Sequence, residues 1–217
     1  NEHFCYPQKS RGDVYLRATA LGHPLIPTQT RVTNDFIMNG RGEINIITGA
    51  NMAGKSTFLR TVAVNLVLAM AGAPVCAKDF VFTPSDIYSS MRTTDSLSDS
   101  ESYFYAELKR LGELKERLEK RENIFFLLDE ILKGTNSKDK SEGAMIFIEK
   151  ITEYKATGII ATHDILLGRL DQKYKSIKNR CFEIEIEGDE LKFDYILRDG
   201  LAEKMNAAIL MKQMGII

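Results

Sequence analysis

The sequence has few of the features that build disulfide frameworks, metal clusters or membrane spans. It contains 3 cysteines among 217 residues, scattered without a CxxC pair or metal-ligand spacing. Isolated thiols of this kind are typical of a reduced, cytoplasmic protein. No apolar run reaches the roughly 18 residues of a transmembrane helix, so we expect no membrane span. The chain begins at asparagine without a signal-peptide pattern, which predicts a piece of a longer cytoplasmic protein.

An excess of charge of one sign is also missing. The 29 basic and 30 acidic side chains leave a formal net charge of −1. A surface devoted to nucleic acid would be distinctly basic, so we expect any contact with DNA to lie outside this chain. The composition, 44% hydrophobic and 27% charged, is that of an ordinary globular domain, and the length suits a single sizeable one.

One short segment carries a specific chemical signal. It follows the pattern G-x-x-x-x-G-K-[ST], in which glycines allow backbone N–H groups to point inward around phosphate oxygens. An apolar run precedes it and apolar residues at helical spacing follow it, which predicts a strand and a helix on its two sides. We therefore expect a phosphate-binding loop whose lysine reaches the terminal phosphates and whose serine hydroxyl ligates Mg²⁺. The loop residues are Gly49, Ala50, Asn51, Met52, Ala53, Gly54, Lys55, Ser56 and Thr57.

Three short apolar runs indicate the fold class. They occupy residues 43–49, 123–130 and 157–164, and each ends in glycine or in charged side chains. Continuous apolar character is typical of strands buried on both faces of a parallel sheet, which need helical connections. Ligands of such sheets bind beyond the carboxyl ends of the strands. We predict an α/β domain with a mostly parallel central sheet and one composite site at that edge.

Two of these runs end in further candidate catalytic residues. Asp129 and Glu130 follow the second run, where the first acid would hold Mg²⁺ and the second would activate water as a general base. His163 ends the third run and would donate a hydrogen bond to the terminal phosphate or to the water. The alternatives are a surface acid pair and a structural histidine, and the shared position at strand ends favours catalysis. His3 and His23 lack that context, and we assign them no chemistry.

The remaining segments divide the chain into parts. Residues 1–40 are expected to form loops and short edge strands of the domain, residues 41–200 its core, and residues 201–217 a C-terminal helical region. Residues 103–122 are predicted to form an exposed helix, and residues 180–198 an antiparallel hairpin that turns at 188–189. Composition alone leaves the role of two polar loops open. Residues 96–102 are either a polar loop that caps the following helix or a segment that presents hydroxyls and N–H groups to a phosphate. Residues 134–137 are either an ordinary turn or a loop that faces a second nucleotide across a dimer.

Taken together, these segments resemble the C-terminal ATPase domain of the MutS family of mismatch-repair proteins, within the ABC-type ATPases. The specific part of the phosphate loop is the pair Asn51-Met52, which generic loops of this type do not require. The resemblance extends from about residue 15 to the end of the chain. Further matching segments are Gly22-His-Pro-Leu25, Thr33-Asn34-Asp35, Ser102-Tyr-Phe-Tyr-Ala-Glu107, Asp129-Glu-Ile-Leu-Lys-Gly-Thr135, Ala161-Thr-His163 and Asp199-Gly-Leu-Ala202.

The resemblance implies a role for each of these residues. The phosphate loop would bind ATP with Mg²⁺, Asp129 would support the metal, Glu130 would activate water and His163 would sense the γ-phosphate. Ser102 would act in trans on a second subunit, so the active species would be a homodimer or heterodimer with composite ATP sites. Tyr195 lies where the family can place an adenine-contacting ring. Mismatched or branched DNA would be bound by N-terminal parts outside this chain, and ATP turnover would drive a conformational switch.

Several departures from the family pattern indicate a divergent paralogue. Ala50 and Ala53 replace proline and glycine in the phosphate loop. Arg31 stands where an aromatic base-stacking residue is expected, although a guanidinium group could still stack on adenine. Residues 132–133 replace glycine-arginine, and Lys140 stands where the family usually has glycine.

Two other functions stay open on the sequence. One is a different ABC-type engine, such as a transporter subunit or a chromosome-organising ATPase, but the sequence lacks a Leu-Ser-Gly-Gly-Gln-like signature. The other is a non-catalytic nucleotide-binding dimerisation module, against which the intact acid, base and phosphate loop argue.

Overall fold

The structure, a computed structural model, describes residues 3–12, 15–91, 103–132, 137–187 and 190–203. Within these residues the helices are α1 (Lys55–Met70), α2 (Tyr103–Glu119) and α3 (Ser137–Glu153), and a 3₁₀ helix spans Ile165–Gln172. The strands are β1 (Gln8–Lys9), β2 (Leu16–Leu21), β3 (Asn34–Met38), β4 (Ile44–Gly49), β5 (Asp79–Phe82), β6 (Asp86–Ser90), β7 (Ile124–Asp129), β8 (Thr157–Thr162), β9 (Ile177–Phe182), β10 (Glu185–Glu187), β11 (Glu190–Lys192) and β12 (Leu197–Asp199). No described helix is long and apolar enough to cross a membrane.

Six of the described strands form the sheet that carries the candidate site, in the order β12-β9-β4-β8-β7-β6. All neighbouring pairs are parallel except β12 and β9. Every residue of β4, β7 and β8 is buried, which explains why these strands are apolar throughout rather than alternating. Thr48 pairs with Thr162, and Asp129 with Ala161, so the three strands end together at one edge. The predicted parallel sheet is confirmed.

Helices cover both faces of this sheet through apolar stripes. Along β7, Phe125 and Leu127 join one hydrophobic cluster, while Phe126 and Leu128 join another, because successive side chains point to opposite faces. α1 packs into the first cluster, and α2 and α3 pack into the second. The sheet therefore lies between two cores, as in layered α/β domains. The helical core residues are Phe58, Leu59, Val62, Leu66 and Ala69 in α1, Leu111, Leu114 and Leu118 in α2, and Ala144, Ile148 and Ile151 in α3.

The N-terminal part is more regular than the sequence indicated. Four of the described strands form a second sheet in the order β1-β5-β2-β3, in which β2 lies between two antiparallel partners. An interior strand thus occurs where only loops and edge strands were expected. The alternation that would reveal it is short, because buried Leu16 and Ala18 flank exposed Arg17 and a register shift follows between Ala18 and Leu21. Ala20, in that shift, has a positive φ of 51°.

The segment after β9 follows the predicted pattern. β10 and β11 pair antiparallel, with Glu185 opposite Lys192, which confirms the hairpin; its turn, 188–189, lies outside the described residues. β12 then returns beside β9 in the main sheet. α2 ends at Glu119, earlier than the predicted residue 122, because Arg121 adopts a left-handed backbone with φ of 60°. Residues 204–217, which include most of the predicted C-terminal helical region, lie outside the described residues.

Candidate nucleotide-binding site

The phosphate loop connects β4 to α1, as its sequence predicts. Its two framing glycines have positive φ angles, 152° at Gly49 and 108° at Gly54. A Cβ atom at Gly49 would lie 2.7 Å from the Phe182 carbonyl oxygen, and one at Gly54 would lie 3.1 Å from the Tyr195 ring. Both positions therefore require glycine, for backbone conformation and for space. Met52, between them, also has a positive φ of 68° and a side chain that is exposed.

Lys55 closes this loop from within. Its side chain is buried, and its ammonium group donates hydrogen bonds to the carbonyl oxygens of Gly49, at 2.7 Å, and Ala50, at 2.8 Å. A buried lysine charge is tolerated only with such partners. The ammonium group thus lies inside the loop, where a bound phosphate would meet it. Ser56 and Thr57 follow Lys55 in the first turn of α1, at the helix end that favours anions.

A cavity of about 560 Å³ opens from the phosphate loop. This volume lies within the range of small-molecule sites. Four parts of the chain contribute to it: the segment from β2 to β3, the loop with α1, the residue after β7, and the region of β9 and Tyr195. Its lining residues are Leu21, His23, Ile26, Thr30, Val32, Asn34, Asn51, Met52, Gly54, Lys55, Ser56, Thr57, Phe58, Thr61, Glu130, Phe182 and Tyr195.

The two acids at the end of β7 lie in different environments. Asp129 is 5% exposed, and its Oδ2 atom has no hydrogen-bond partner among the described residues. Glu130 lines the cavity, and its side chain is 9% exposed. Its backbone bends to a positive φ of 57°, while its N–H donates to the Ala161 carbonyl oxygen at 2.8 Å. The strand end therefore presents Glu130 to the cavity, whereas Asp129 is buried and does not line it.

The unsatisfied oxygen of Asp129 bears on the predicted metal. A buried carboxylate oxygen without a partner is destabilising, and a cation would satisfy it. Among the described residues no cluster of three or more histidine, cysteine or acidic side chains forms a dedicated metal cage. Mg²⁺ does not need one, since it binds through one or two carboxylates together with substrate phosphates and water. Asp129 and the Ser56 hydroxyl fit that arrangement.

His163 reaches the cavity through Glu130. Its Nδ1 atom lies 3.3 Å from Oε1 of Glu130, and its Nε2 atom lies 3.4 Å from Nζ of Lys140. The imidazole ring is 45% exposed and does not itself line the cavity. The predicted proximity of His163 to the acid pair is therefore present, whereas a direct contact with the γ-phosphate stays a prediction.

Tyr195 forms part of the cavity wall. Its ring stacks on Phe193, with centroids 6.1 Å apart and planes 16° apart, and it remains 43% exposed. Its backbone has a positive φ of 58°. The Asn34 side chain holds this segment, because its Nδ2 donates to the Tyr195 carbonyl oxygen at 3.0 Å and its Oδ1 accepts from the Leu197 N–H at 2.7 Å. An exposed aromatic face is thus fixed beside the phosphate loop, where a base can stack.

Sequence reasoning missed most of the remaining wall. His23, Ile26 and Val32 line the cavity, although His23 was assigned no chemistry. Burial lowers the pKa of His23, and the charges of Arg60 and Arg31 lower it further, which favours the neutral ring. The signal that could have identified this segment is its likeness to the family elements around residues 22–25 and 33–35.

Arg31 does not stack in this cavity, so the idea that its guanidinium group supports adenine is wrong. Its side chain turns away, and the guanidinium group donates to the Ile26 carbonyl oxygen from Nε, at 3.0 Å, and from Nη2, at 2.6 Å. It also donates to the Cys76 sulfur at 2.9 Å and lies over the Phe4 ring at 5.9 Å. A Cβ atom at Gly22 would lie 2.4 Å from Arg31 Cδ. The arginine therefore packs behind the wall and depends on glycine at position 22.

Some predicted residues lie outside the described part of the chain. These are Ser102, the rest of the polar loop at 96–101, and residues 134–136 after the acid pair.

Comparison with known proteins agrees with this geometry. The family model described as MutS domain V matches residues 45–215. The chain belongs to the MutS family. MutS domain V is the ATPase domain of a family of DNA-repair proteins. The family model thus begins within β4 and includes the phosphate loop, the acid pair, His163 and Tyr195.

Individual MutS proteins resemble the chain over most of its length. It is 31% identical over 189 residues to the DNA mismatch repair protein MutS of Thermotoga neapolitana, covering 86% of this chain and 23% of that protein. For the proteins of the same name from Persephonella marina and Aquifex pyrophilus the identity is 32%, covering 85% and 83% of this chain and 21% of each relative. The chain therefore spans less than a quarter of the length of these relatives.

Proposed function

We propose that this chain is an ABC-type, Mg²⁺-dependent ATPase domain. One observation carries the proposal: a single cavity contains the phosphate loop with Lys55, the acid Glu130 and the aromatic wall at Tyr195. A chain of phosphates needs such a loop, a base needs an aromatic surface, and hydrolysis needs an acid that can activate water, all within one cavity. The MutS relatives supply the biological setting, DNA mismatch repair or a related repair or recombination process in the cytoplasm.

In this proposal the loop residues 49–57 bind the phosphates through backbone N–H groups. Lys55 exchanges its two loop carbonyl partners for phosphate oxygens. Asp129 and Ser56 hold Mg²⁺, which neutralises charge on the terminal phosphates when it is bound. Tyr195 stacks on adenine, with His23, Ile26 and Val32 on the remaining wall. For Lys55 this exchange costs little free energy, because phosphate oxygens replace the carbonyl oxygens of Gly49 and Ala50 as hydrogen-bond acceptors.

Glu130 acts as the general base. Its side chain lines the cavity, and the His163 ring lies at hydrogen-bond distance on its other side. Positive φ at a non-glycine residue is strained by about 1–2 kcal/mol, so the backbone at Glu130 is held there by the surrounding sheet. Strain of this kind is frequent where a side chain must be aimed at a reacting group. Asp129 is buried and serves the metal.

The working unit is a homodimer or heterodimer with composite ATP sites, in which Ser102 completes the site of its partner and residues 201–217 support dimerisation. ATP binding closes the dimer, and hydrolysis releases it. This switch acts on mismatched or branched DNA bound by N-terminal parts outside the chain. The nearly neutral charge of the chain supports that division of labour, because DNA affinity depends on clustered basic side chains.

Hydrolysis measured against protein concentration tests this function. We expect Mg²⁺-dependent release of phosphate from ATP, at a rate per subunit that rises with concentration as composite sites form. Chelation of Mg²⁺ by EDTA should abolish release, and Lys55→Met should abolish ATP binding in calorimetry. Absence of ATP binding by the unmodified chain would refute the proposed function. A rate per subunit independent of concentration would refute the composite site alone.

A further inference from the structure

Three side chains from different elements form a row that ends at the cavity. The Nζ atom of Lys140, in the first turn of α3, lies 3.4 Å from the Nε2 atom of His163. The Nδ1 atom of His163, which follows β8, lies 3.3 Å from the Oε1 atom of Glu130. Glu130 lines the cavity. The row thus connects helix α3 with the acid that is proposed to activate water.

The chemistry of these groups determines the direction of the hydrogen bonds. A lysine ammonium group can only donate, so the ring nitrogen that faces it must be the unprotonated one. The proton of a neutral imidazole then resides on Nδ1, and Nδ1–H can donate to the Glu130 carboxylate. The tautomer of a histidine is set in this way by the partner of its other nitrogen. Both distances are long for hydrogen bonds, as is common in catalytic sites before substrate binds.

A second contact holds the two elements together. Ser141 follows Lys140 in the chain, and Asp164 follows His163. The Ser141 hydroxyl donates a hydrogen bond to the Asp164 carboxylate. Asp164 in turn accepts from the Leu166 N–H at 2.9 Å, and its own N–H donates to Thr162 Oγ1 at 3.0 Å. The start of α3 is therefore bound to the turn after β8. This keeps the Lys140 ammonium group near the His163 ring.

We propose that Lys140 is a positioning residue that acts through His163 on Glu130. It holds His163 in the Nδ1–H tautomer, and that N–H orients one carboxylate oxygen of Glu130. A base whose orientation is fixed in advance needs less reorganisation in the transition state. The catalytic part of the proposal rests on the proposed ATP hydrolysis.

Nitrogen NMR of histidine measures the tautomer directly. The chain contains 3 histidines, so selective ¹⁵N-histidine labelling gives a simple spectrum in which loss of signals in His163→Gln assigns that ring. We expect His163 to show a protonated Nδ1 and an unprotonated Nε2. Lys140→Met should give a mixture of tautomers, whereas Lys140→Arg, which retains a donor, should preserve the Nδ1–H form.

Lys150→Met is the matched control for lost charge. Lys150 lies on the same helix, is partly exposed, and pairs with Glu153 at 2.7 Å rather than with the site. Lys150→Met should leave the His163 spectrum and the ATPase rate unchanged. Lys140→Met should lower kcat about three- to tenfold with an unchanged KM, the size expected for one lost orienting hydrogen bond. Lys140→Arg should recover most of that loss.

Two results would overturn the proposal: a His163 tautomer that Lys140→Met does not change, or an unchanged kcat in an active Lys140→Met protein. Failure of the ATPase function is a separate result. If the unmodified chain does not hydrolyse ATP, the spectrum still shows whether Lys140 sets the tautomer, and a tautomer change would then support the positioning contact without its catalytic consequence.

Discussion

The cavity has two halves that are built in different ways, a phosphate half and a base half, each named for the part of ATP that we propose it binds. The phosphate half consists of backbone at the ends of parallel strands, with glycine conformations at residues 49 and 54 and a buried lysine. The base half consists of side chains from residues 21–34 and from Tyr195, which are distant in sequence. A fixed backbone geometry requires particular residue types, so it produces a recognisable sequence motif. A wall of packed side chains can be built from many different combinations of residues. The difference explains why the phosphate loop can be identified from a short motif, whereas most of the other wall cannot.

The base wall is supported from behind by polar contacts. The Asn65 side chain, from α1, donates to the Gly22 carbonyl oxygen at 3.0 Å and accepts from the Cys76 N–H at 2.7 Å. Arg31 adds its bonds to Ile26 and Cys76 on the same side. Arg31 faces away from the cavity, so the stacking on the base that we propose rests on Tyr195. This division makes the two halves separable by mutation.

The largest effect is expected on the phosphate side. Glu130→Gln removes the general base but keeps the shape of the side chain, so kcat for ATP should fall by at least about 100-fold while ATP affinity is retained. Phosphate release and calorimetry on the same protein measure the two quantities. Glu116→Gln, at an exposed position of α2, is the control and should behave as the unmodified chain. Unchanged hydrolysis in Glu130→Gln would remove Glu130 from this role.

On the base side, Tyr195→Ala should weaken ATP binding by about 5- to 150-fold, because stacking of a base on an aromatic ring contributes about 1–3 kcal/mol. Affinity for tripolyphosphate, which has no base, should stay the same. Tyr195→Phe keeps the ring and should bind ATP normally. A parallel loss for ATP and tripolyphosphate would show instead that Tyr195 supports the adjacent Gly54 and the phosphate loop.

The packing between Gly22 and Arg31 gives a prediction of intermediate size. Gly22→Ala places a Cβ atom 2.4 Å from Arg31 Cδ, and such overpacking lowers the free energy of unfolding by about 1–3 kcal/mol. Arg31→Ala removes the obstacle, so Gly22→Ala should be far milder in that background. Urea unfolding of the two single variants and the double variant measures this coupling. Strictly additive changes would contradict the described position of Arg31.

The smallest effect concerns Cys181, a buried residue of β9 that lies opposite Thr48 of β4 in the main sheet. Burial, followed by the Glu183 carboxylate, raises the pKa of Cys181 from 9.0 to about 11. The unfolded chain therefore loses this proton at lower pH than the folded chain. The associated stability is fully present below pH 9 and declines as pH rises through about 11.

Cys181→Ala should remove this contribution to the loss of stability at alkaline pH. Between the pKa values of the unfolded and the folded chain, the contribution to the free energy of unfolding is on the order of 1–2 kcal/mol. Urea unfolding at a series of pH values compares the slopes, and Cys5 and Cys76 contribute equally to both proteins. Identical slopes would show that the folded protein does not protect this thiol.

The sequence allowed good prediction wherever one residue type is required. Gly49 and Gly54, the buried runs of β4, β7 and β8, and the acids at a strand end all follow from local rules of conformation and burial. Prediction failed where the partner is distant. The interior position of β2 depends on pairing with β5, more than fifty residues along the chain. The orientation of Arg31 depends on the space above Gly22 and on the Cys76 sulfur.

The sequence by itself determined the phosphate loop, the parallel sheet that follows from it and the family to which the chain belongs. These features are local: a glycine backbone, a buried strand and a helix start each impose their own residue types. Only the tertiary structure decided which side chains share the cavity, that Asp129 is buried with an unsatisfied oxygen, and that Lys140 meets His163. Such contacts join distant segments, and their geometry arises from the packing of whole elements rather than from any one of them.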